Sequence, residues 1–169
     1  MNLFYKLFAK NNRENFDISN LIWSWIGSFL GLFAIAFFHR NFLDDSDLTL
    51  VLSSFGASAV LIYGAINSPL AQPKNLIGGH IISAIIGVFC YKLFGENLLF
   101  AAAIAVSSSI LVMQLTLTLH PPGGATALIA VIGTPQIHDL GYFFVIFPVF
   151  SGALILFLIA FVIKKKKKN

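Results

Sequence analysis

The amino-acid sequence predicts an all-α polytopic membrane protein, and both its composition and its charge distribution support this fold class. Of the 169 residues, 57% are hydrophobic and 11% are charged, whereas a soluble domain carries about 25% charged residues. The mean hydropathy is +0.85. Five of the charges form the C-terminal run Lys164–Lys168, and five more precede residue 20. The low charged fraction and the high hydropathy exclude a soluble enzyme and a disordered chain. A nucleic-acid binder is also excluded, because no basic face remains without the terminal lysines.

Four apolar stretches are long enough to cross a hydrocarbon core of about 30 Å, which takes roughly 20 helical residues. In chain order they are Leu21–Phe38, Leu76–Phe94, Leu98–Leu119 and Tyr142–Ile163. Gly123–Gly133 would span only half of a membrane as a helix. Leu48–Ile66 is interrupted by small polar residues and a glycine: Ser53, Ser54, Gly56 and Ser58. We therefore expect four long transmembrane helices plus two short half-helices, each of which is re-entrant or broken.

The two short stretches resemble each other in sequence. The run Gly56–Ile62 aligns with the run Gly124–Ala130 with conservative changes only. A proline follows each run within a few residues, and each stretch lies between two long apolar ones. The chain therefore divides into two related repeats, residues 20–94 and 97–163, each with the order helix, half-helix, helix. Kinked lipid-facing helices, which glycine and proline also permit, are the alternative interpretation.

The densest local signal lies at the start of the second half-helix and consists of His120, Pro121, Pro122, Gly123, Gly124, Ala125 and Thr126. The two prolines must end the preceding helix, because they lack a backbone donor and fix φ. The two glycines allow a ligand to approach closely. A half-helix that begins here would present free N–H groups and the Thr126 hydroxyl at its first turn, where the helix dipole favours an anion.

The first repeat would supply a matching half-helix N-terminus at Gly56, Ala57 and Ser58. Two such ends aimed at a common point would bind a small anion without a formal cation. Internal repeats with short segments at corresponding positions are typical of transporters that bind substrate at the repeat interface. Irregular backbone at membrane depth is also tolerated only where protein or a water-filled cavity surrounds it.

The same residues resemble the signature of the HPP family of integral membrane proteins. The matching motifs are FGASAV at residues 55–60, SPLAQPKNLIGGH at residues 68–80 and HPPGGATAL at residues 120–128. The resemblance covers residues 20–163 and implies a four-helix membrane protein. Because plastid and cyanobacterial members are implicated in nitrite transport, it also implies a small anion transporter or channel with nitrite as the leading substrate. Gly123 and Lys74 depart from the family pattern, which more often has Ala and Arg there.

Two histidines lie in or beside apolar segments, where an ionisable residue is a functional hypothesis by default. His80 is near the start of the stretch 76–94, and His120 opens the Pro-Pro turn. Both are candidates to titrate near neutrality and couple anion entry to a proton. Alternatively, each braces a backbone break by donating to unpaired carbonyls. His39 and His138 are expected to be ordinary interfacial residues in loops.

Catalysis and metal binding receive little support from the sequence. Only Cys90 and a few carboxylates could join His80 and His120 as metal ligands, and no ligand pair is closely spaced, so we expect no metal and no cofactor. The run Ser107–Ser109 has no paired base, and we do not expect an enzyme. The acidic segment Asp44–Asp47 is expected to be a solvated loop.

The positive-inside rule predicts that both termini are cytoplasmic. Nine of the eleven Lys and Arg residues fall on the side of the termini whether four or six segments cross. The rule therefore leaves open whether the repeats are parallel, with four crossings, or inverted, with six. We expect a multi-pass protein of the inner (plasma) membrane, with a cytoplasmic amphipathic segment at 1–19, one transmembrane domain at 20–163 and a cytoplasmic lysine tail at 164–169. No cleavable signal is evident, so we expect the chain to be mature from Met1.

The expected partners are a small inorganic anion, nitrite first, together with membrane lipids and further copies of this small chain. Two rival functions stay open. One is a conduit for a neutral or cationic small solute that uses the two histidines as a polar path. The other is a non-transport membrane scaffold or sensor that acts through the lysine tail.

Overall fold

The computed structural model describes residues 18–168, with the side chains of residues 18–165, and these residues form helices and turns without strands. The helices are α1 (Ile18–His39), α2 (Asp45–Ala59), α3 (Pro73–Phe94), α4 (Leu98–Leu115), α5 (Pro121–Ile132), α6 (Pro135–Leu140) and α7 (Ser151–Lys168). A π-helical turn (Val60–Gly64) extends α2, a 3₁₀ turn (Pro69–Ala71) precedes α3, and a second π-helical turn (Val145–Phe150) precedes α7. The amphipathic segment expected at residues 1–19 lies almost entirely outside the described residues.

Five of the described segments are long and apolar enough to cross a membrane, and α5 is a shorter apolar helix. The chain is therefore a multi-pass membrane protein. Gly27 of α1 lies against Ile163 of α7, and Gly31 lies against Leu156, so these two helices are antiparallel. Residues 18 and 164 consequently lie at the same end of the bundle.

Successive segments run in alternate directions between the two ends of the bundle. At one end, Ser24 near the start of α1 donates to the carbonyl of Tyr63 beyond α2, and Asn75 of α3 donates to the carbonyl of Leu119 beyond α4. At the other end, the Tyr91 ring of α3 stacks on a side chain of α6. We call the first the lysine end, because it holds Lys74, Lys164 and Lys165. We call the second the acidic end, because it holds Asp44, Asp45, Asp47, Glu96 and Asp139.

The second segment is one continuous span, Asp45–Gly64, so the prediction of a half-helix that begins at Gly56 is wrong. The serines of this segment do not break the helix, because their hydroxyls find partners. Ser53, for example, donates to the Thr49 carbonyl of its own helix at 2.8 Å. The irregular backbone falls at the C-terminal end of the span, in the π-helical turn. Among the described residues, five long apolar segments and one apolar helix of intermediate length, α5, thus replace the predicted four and two.

The last apolar stretch, predicted as one helix over Tyr142–Ile163, is broken in its first half. Phe147 has φ −135° and ψ 122°, outside the helical region, and Pro148 follows it. Proline lacks a backbone N–H and disfavours helical backbone at the residue before it. The regular helix α7 therefore begins only at Ser151.

Helix α4 ends at Leu115, before the residue Leu119 that the prolines predicted. Leu117 adopts φ 56°, in the left-handed region, and the N–H of Thr118 donates back to the Met113 carbonyl at 2.8 Å. This is the hydrogen-bond pattern of a Schellman cap, with leucine in the position that glycine usually takes. The helix therefore ends by its own C-terminal cap, upstream of the Pro-Pro turn.

Small residues allow α3 and α5 to pack closely. A Cβ atom on Gly87 of α3 would lie 2.6 Å from the carbonyl oxygen of Ala127, and one on Gly123 of α5 would lie 2.7 Å from Ser83 Oγ. Gly79, Ser83 and Gly87 recur every four residues and so share one face of α3. Close helix approach over small residues is the usual packing mode of membrane bundles, and here it brings α5 against the face that also carries the nearby His80.

At the acidic end, Asp47 contradicts the prediction of a solvated acidic loop. Its carboxylate is fully buried and accepts from both the N–H and the hydroxyl of Thr134, just before α6. Asp44 caps α2 by accepting from the Asp47 N–H at 2.8 Å. These carboxylates therefore tie the start of α2 to the turn that follows α5.

His39 also contradicts its prediction as an interfacial loop residue, because it is fully buried at the last position of α1. Its Nδ1 donates to the Ile35 carbonyl at 2.8 Å, and its Nε2 lies 2.9 Å from Ser151 Oγ. His138 is half-buried and stacks on Tyr91, with ring centroids 3.7 Å apart. Both histidines connect helices at the acidic end.

Candidate functional site

Five polar side chains meet inside the bundle, where α2, α3 and α5 pack together. They are Ser54, Ser58, His80, His120 and Thr126, and none is more than 3% exposed. We call them the histidine–hydroxyl cluster. Burying a polar group costs free energy unless the group is hydrogen-bonded. The hydrogen bonds within this cluster therefore determine its chemistry, because they decide which atoms donate and which accept.

The imidazole of His80 lies between two hydroxyl groups. Its Nε2 is 2.8 Å from Ser58 Oγ of α2, and its Nδ1 is 2.6 Å from Thr126 Oγ1 of α5. The Phe55 ring covers one side of it, with centroids 4.8 Å apart. His80 therefore connects α2 to α5 through both of its ring nitrogens.

The imidazole of His120, at the N-cap of α5, is the second ring of the cluster. Its Nε2 is 3.0 Å from Ser58 Oγ, and its Nδ1 is 3.0 Å from the carbonyl oxygen of Leu70 in the 3₁₀ turn. The His120 and His80 ring centroids are 5.1 Å apart. One oxygen atom, Ser58 Oγ, thus bridges the two histidines.

Hydrogen-bonding rules assign the direction of these bonds when both rings are neutral. The Leu70 carbonyl can only accept, so His120 Nδ1 carries the hydrogen and His120 Nε2 accepts from the Ser58 hydroxyl. Ser58 has one hydrogen, so it must accept from His80 Nε2–H. His80 Nδ1 then accepts from the Thr126 hydroxyl. The result is a one-way chain of hydrogen bonds from Thr126 to Leu70.

Ser54 extends this chain on the α5 side. Its hydroxyl lies 3.0 Å from the Pro122 carbonyl oxygen and 3.0 Å from Thr126 Oγ1, and it can donate to either. Ser54 and Ser58 are four residues apart, on one face of α2. From the sequence, Ser54 was identified only as one of the residues that interrupt Leu48–Ile66 and not as a site residue, although its spacing from Ser58 was a signal for it.

The structure brings together four of the predicted side chains and separates the rest. Ser58, His80, His120 and Thr126 are in the cluster, and Pro122 contributes its carbonyl oxygen. The remaining predicted residues contribute no side chain to it: Gly56, Ala57, Pro121, Gly123, Gly124 and Ala125. Ala57 and Pro121 are exposed, and Gly123 packs against Ser83 of α3 instead.

The predicted anion site built from two half-helix N-termini does not form in this arrangement. On α2, the motif Gly56–Ser58 lies near the C-terminal end of the helix, where its N–H groups are used within the helix. On α5, the first two positions are prolines without N–H groups, and the Gly123 N–H donates to the His120 carbonyl at 2.8 Å. The donors available here belong to side chains, namely hydroxyls and imidazoles.

The cluster contains no carboxylate and no thiol. Among residues 18–165, no group of three or more His, Cys, Asp or Glu side chains is placed to hold a metal ion. Cys90 is buried in a separate apolar group with Ala101, Ala105 and Val131. What the arrangement offers is therefore hydrogen bonding and proton exchange in an apolar surrounding.

Comparison with known proteins identifies the family. The model of the HPP transmembrane region matches residues 13–169. The chain belongs to the HPP family. Two transmembrane proteins of Dictyostelium discoideum are similar to this HPP chain over 150 residues, one 47% and the other 43% identical. The matches cover 87% of the HPP chain in both cases, and 52% and 48% of the respective relatives.

The HPP chain thus spans about half the length of the curated relatives that it matches. No solved structure matches it. The family assignment confirms the resemblance seen in the three sequence motifs, and all three motifs supply cluster residues. FGASAV contains Ser58, SPLAQPKNLIGGH contains His80, and HPPGGATAL contains both His120 and Thr126.

Proposed function

We propose that this HPP protein transports a small monovalent anion, with nitrite as the first candidate, past the histidine–hydroxyl cluster. The observation that carries the proposal is the bridge from His80 through Ser58 to His120, fully buried within a bundle of apolar helices. Ionisable residues inside a membrane are expensive and usually serve an ion or proton path. Hydroxyl and imidazole donors without a competing carboxylate suit an anionic guest.

The cluster is closed to solvent, and its hydrogen bonds satisfy each other. A passing anion must therefore replace some of these bonds, and the energetic cost is lowest if the anion accepts from the same donors. Such a requirement favours a carrier-like cycle with an opening step over a permanently open pore. It also favours small oxyanions, whose oxygen atoms can accept from a hydroxyl and an imidazole N–H together.

A proton can enter the cluster without leaving a group unpaired. If His120 gains a hydrogen at Nε2, Ser58 Oγ can accept from both imidazoles and turn its own hydrogen to the Ser54 carbonyl, 3.3 Å away. Rotation of one hydroxyl thus connects a neutral and a singly protonated state. The protonated ring supplies the positive charge that an anion needs in a medium of low dielectric constant. We therefore propose that the anion and a proton move together.

The proposal places the lysine end in the cytoplasm. Lys74 and Lys164 lie at that end, whereas Arg40 and Lys92 lie at the acidic end. With the terminal lysine run added, the positive-inside rule favours a cytoplasmic lysine end. This orientation is tested with single reporter cysteines at each end of the bundle and a membrane-impermeant, thiol-reactive label applied to intact cells.

The decisive experiment is uptake of isotope-labelled nitrite into proteoliposomes at two internal pH values, with His120→Ala and His138→Ala in parallel. We expect uptake above that of empty liposomes, faster into the more alkaline lumen, because an anion that moves with a proton follows the inward proton gradient. His120→Ala should lower the rate about tenfold or more, since it removes the ring that bridges Ser58 to Leu70. His138→Ala, at the acidic end, should keep most of the activity.

Three results would count against the proposal in different ways. Uptake no higher than in empty liposomes, from protein shown to be folded and inserted, would reject nitrite as the substrate. Uptake that is insensitive to competing nitrate, formate and chloride would instead favour the rival conduit for a neutral solute. If deletion of residues 164–169 abolishes function while His120→Ala does not, the result would favour the rival function of a membrane scaffold or sensor.

A further inference from the structure

A cavity of about 390 Å³ lies at the lysine end of the bundle, and no residue of the histidine–hydroxyl cluster lines it. Its apolar walls come from the π-helical turn after α2, from the start of α3 and from the last turns of α7. Ile62, Leu76, Phe157 and Phe161 form these walls, and Lys164 and Lys165 lie on the rim. The volume is within the range of about 300–1,000 Å³ that small-molecule sites occupy.

The two parts of this cavity have different chemistry. The walls consist of branched aliphatic and aromatic side chains, which make no favourable contact with an inorganic anion. The rim offers two ammonium groups, both exposed, at the point where the apolar helix α7 gives way to the lysine run. An occupant must therefore combine an apolar chain with an anionic head, and basic pockets between transmembrane helices bind lipid headgroups in this manner.

We propose that this cavity is a binding site for an anionic phospholipid, with one acyl chain between α3 and α7 and the phosphate at Lys164 and Lys165. The site is independent of the proposed transport activity. Lysines at the end of a transmembrane helix lie at the depth of the lipid headgroups, so the rim and the walls match the two regions of one lipid molecule.

Charge argues against the other occupants of such a groove. A second copy of the chain in the same membrane orientation presents its own lysines at this depth, and the described acidic side chains lie at the opposite end of its bundle. Residues 1–17 carry three basic and two acidic side chains, so that segment would also bring net positive charge to the rim. An anionic lipid is the occupant that neutralises Lys164 and Lys165.

The test measures lipid retained by the full-length chain in detergent by native mass spectrometry, with phosphatidylglycerol and phosphatidylcholine of identical acyl chains added in equal amounts. We expect wild-type protein to retain phosphatidylglycerol about ten- to thirtyfold better than phosphatidylcholine. Lys164→Gln with Lys165→Gln should remove this preference. Lys74→Gln with Lys92→Gln removes the same charge from described lysines outside the cavity and should leave the preference in place.

A second variant tests the apolar part of the site. Ala160→Trp fills the cavity, because Ala160 lies on its wall, and it should abolish retention of both lipids. Tryptophan fluorescence during thermal melting checks that each variant is folded, and Ala160→Phe replaces Ala160→Trp if the larger residue disrupts folding. Full retention of phosphatidylglycerol by the folded, cavity-filling variant would overturn the proposal. Equal retention of the two lipids by wild-type protein would also overturn it. So would a wild-type protein that is a dimer without bound lipid and that becomes a monomer in Ala160→Trp, because the occupant would then be a second copy of the chain.

Discussion

The matched segments Gly56–Ile62 and Gly124–Ala130 have similar sequences but different positions in their helices. The first lies near the C-terminal end of a long span, and the second begins just inside a short helix. Yet Ser58 and Thr126, which align with each other, bond to the two nitrogens of the same imidazole, that of His80. The two helices run in opposite directions, so the aligned hydroxyls approach the ring from opposite sides.

The two histidines have no counterparts in the other half of the chain. His120 precedes Gly124 by four residues, and the corresponding position before Gly56 is Leu52, an apolar residue. His80 likewise comes from the first half of the chain alone. The matched pair of hydroxyls therefore flanks one imidazole, that of His80, and the second imidazole, that of His120, lies beyond Ser58.

The largest effect is expected when the oxygen that bridges the two imidazoles is removed. Ser58→Ala leaves His80 Nε2–H and the His120 Nε2 acceptor buried without partners, at a cost of about 1–3 kcal/mol for each group. We expect nitrite uptake to fall about tenfold or more and the thermal midpoint to drop. Ser53→Ala, an exposed serine of the same helix, is the control. Unchanged uptake and unchanged stability in Ser58→Ala would contradict the cluster as described.

A comparison of the two adjacent glycines of the second segment should give the next largest effect. A Cβ on Gly123 would lie 2.7 Å from Ser83 Oγ and 3.0 Å from the Gly79 carbonyl oxygen, whereas one on Gly124 meets its nearest atom, Val106 Cγ1, at 3.7 Å. We expect Gly123→Ala to destabilise the protein by about 1–3 kcal/mol. Gly124→Ala should be neutral, or stabilising by up to about 1 kcal/mol. Equal melting temperatures for the two variants would contradict the close packing of α3 on α5.

Much of the helical framework was predictable, because it depends on local hydrophobic runs. The start and end of α1 and α3 agree with the predicted stretches within three residues, and the short helix α5 lies within two residues of its predicted bounds. The break at Pro148 could have been predicted from the same local rule that identified the Pro-Pro turn. The prediction of one helix over Tyr142–Ile163 did not apply that rule and was wrong there. The continuity of α2 through Gly56 was not evident, since it depends on partners for its serine hydroxyls.

Four of the five side chains of the histidine–hydroxyl cluster were predictable from the sequence, but their hydrogen-bond arrangement was not. His80, His120, Ser58 and Thr126 stood out by residue type, yet the sequence favoured backbone N–H groups as the donors. In the structure the hydrogen-bond donors at this place belong to side chains, because the first turn of α5 begins with prolines. The Leu70 carbonyl, which sets the direction of the hydrogen-bond chain, comes from a loop fifty residues away from His120. No local pattern reveals such a partner.

The equivalence of the two matched hydroxyls can be tested at Thr126. Thr126→Val keeps the side-chain volume and removes the donor to His80 Nδ1, at an expected cost of about 1–2 kcal/mol, whereas Thr126→Ser should retain the bond and most of the activity. Combined with Ser58→Ala in a double-mutant cycle, Thr126→Val should show a coupling of at least about 0.5 kcal/mol, since both hydroxyls bond to one ring. Strict additivity in thermal stability would mean that His80 does not couple them.

The smallest effect is expected at the acidic end, in the turn that follows the second matched segment. The turn that follows the first matched segment lies at the lysine end. Ser68 caps its own turn by accepting from the Leu70 N–H at 3.2 Å, whereas Thr134 donates its N–H and its hydroxyl to the buried Asp47. The second segment is thus held by a carboxylate on another helix. Asp47→Asn keeps one acceptor but loses the charge, and we expect a loss of about 1 kcal/mol in stability with little change in the rate of nitrite uptake.

Asp45→Asn separates the contribution of this tie from that of charge alone. Asp45 is an exposed residue in the first turn of α2, so its neutralisation removes a similar favourable interaction with the helix dipole without touching Thr134. We expect Asp45→Asn to lower the thermal midpoint less than Asp47→Asn does. If the two variants melt together, the bond to Thr134 adds nothing beyond the dipole interaction. If Asp47→Asn instead abolishes uptake while the protein remains folded, the acidic end takes part in transport together with the histidine–hydroxyl cluster.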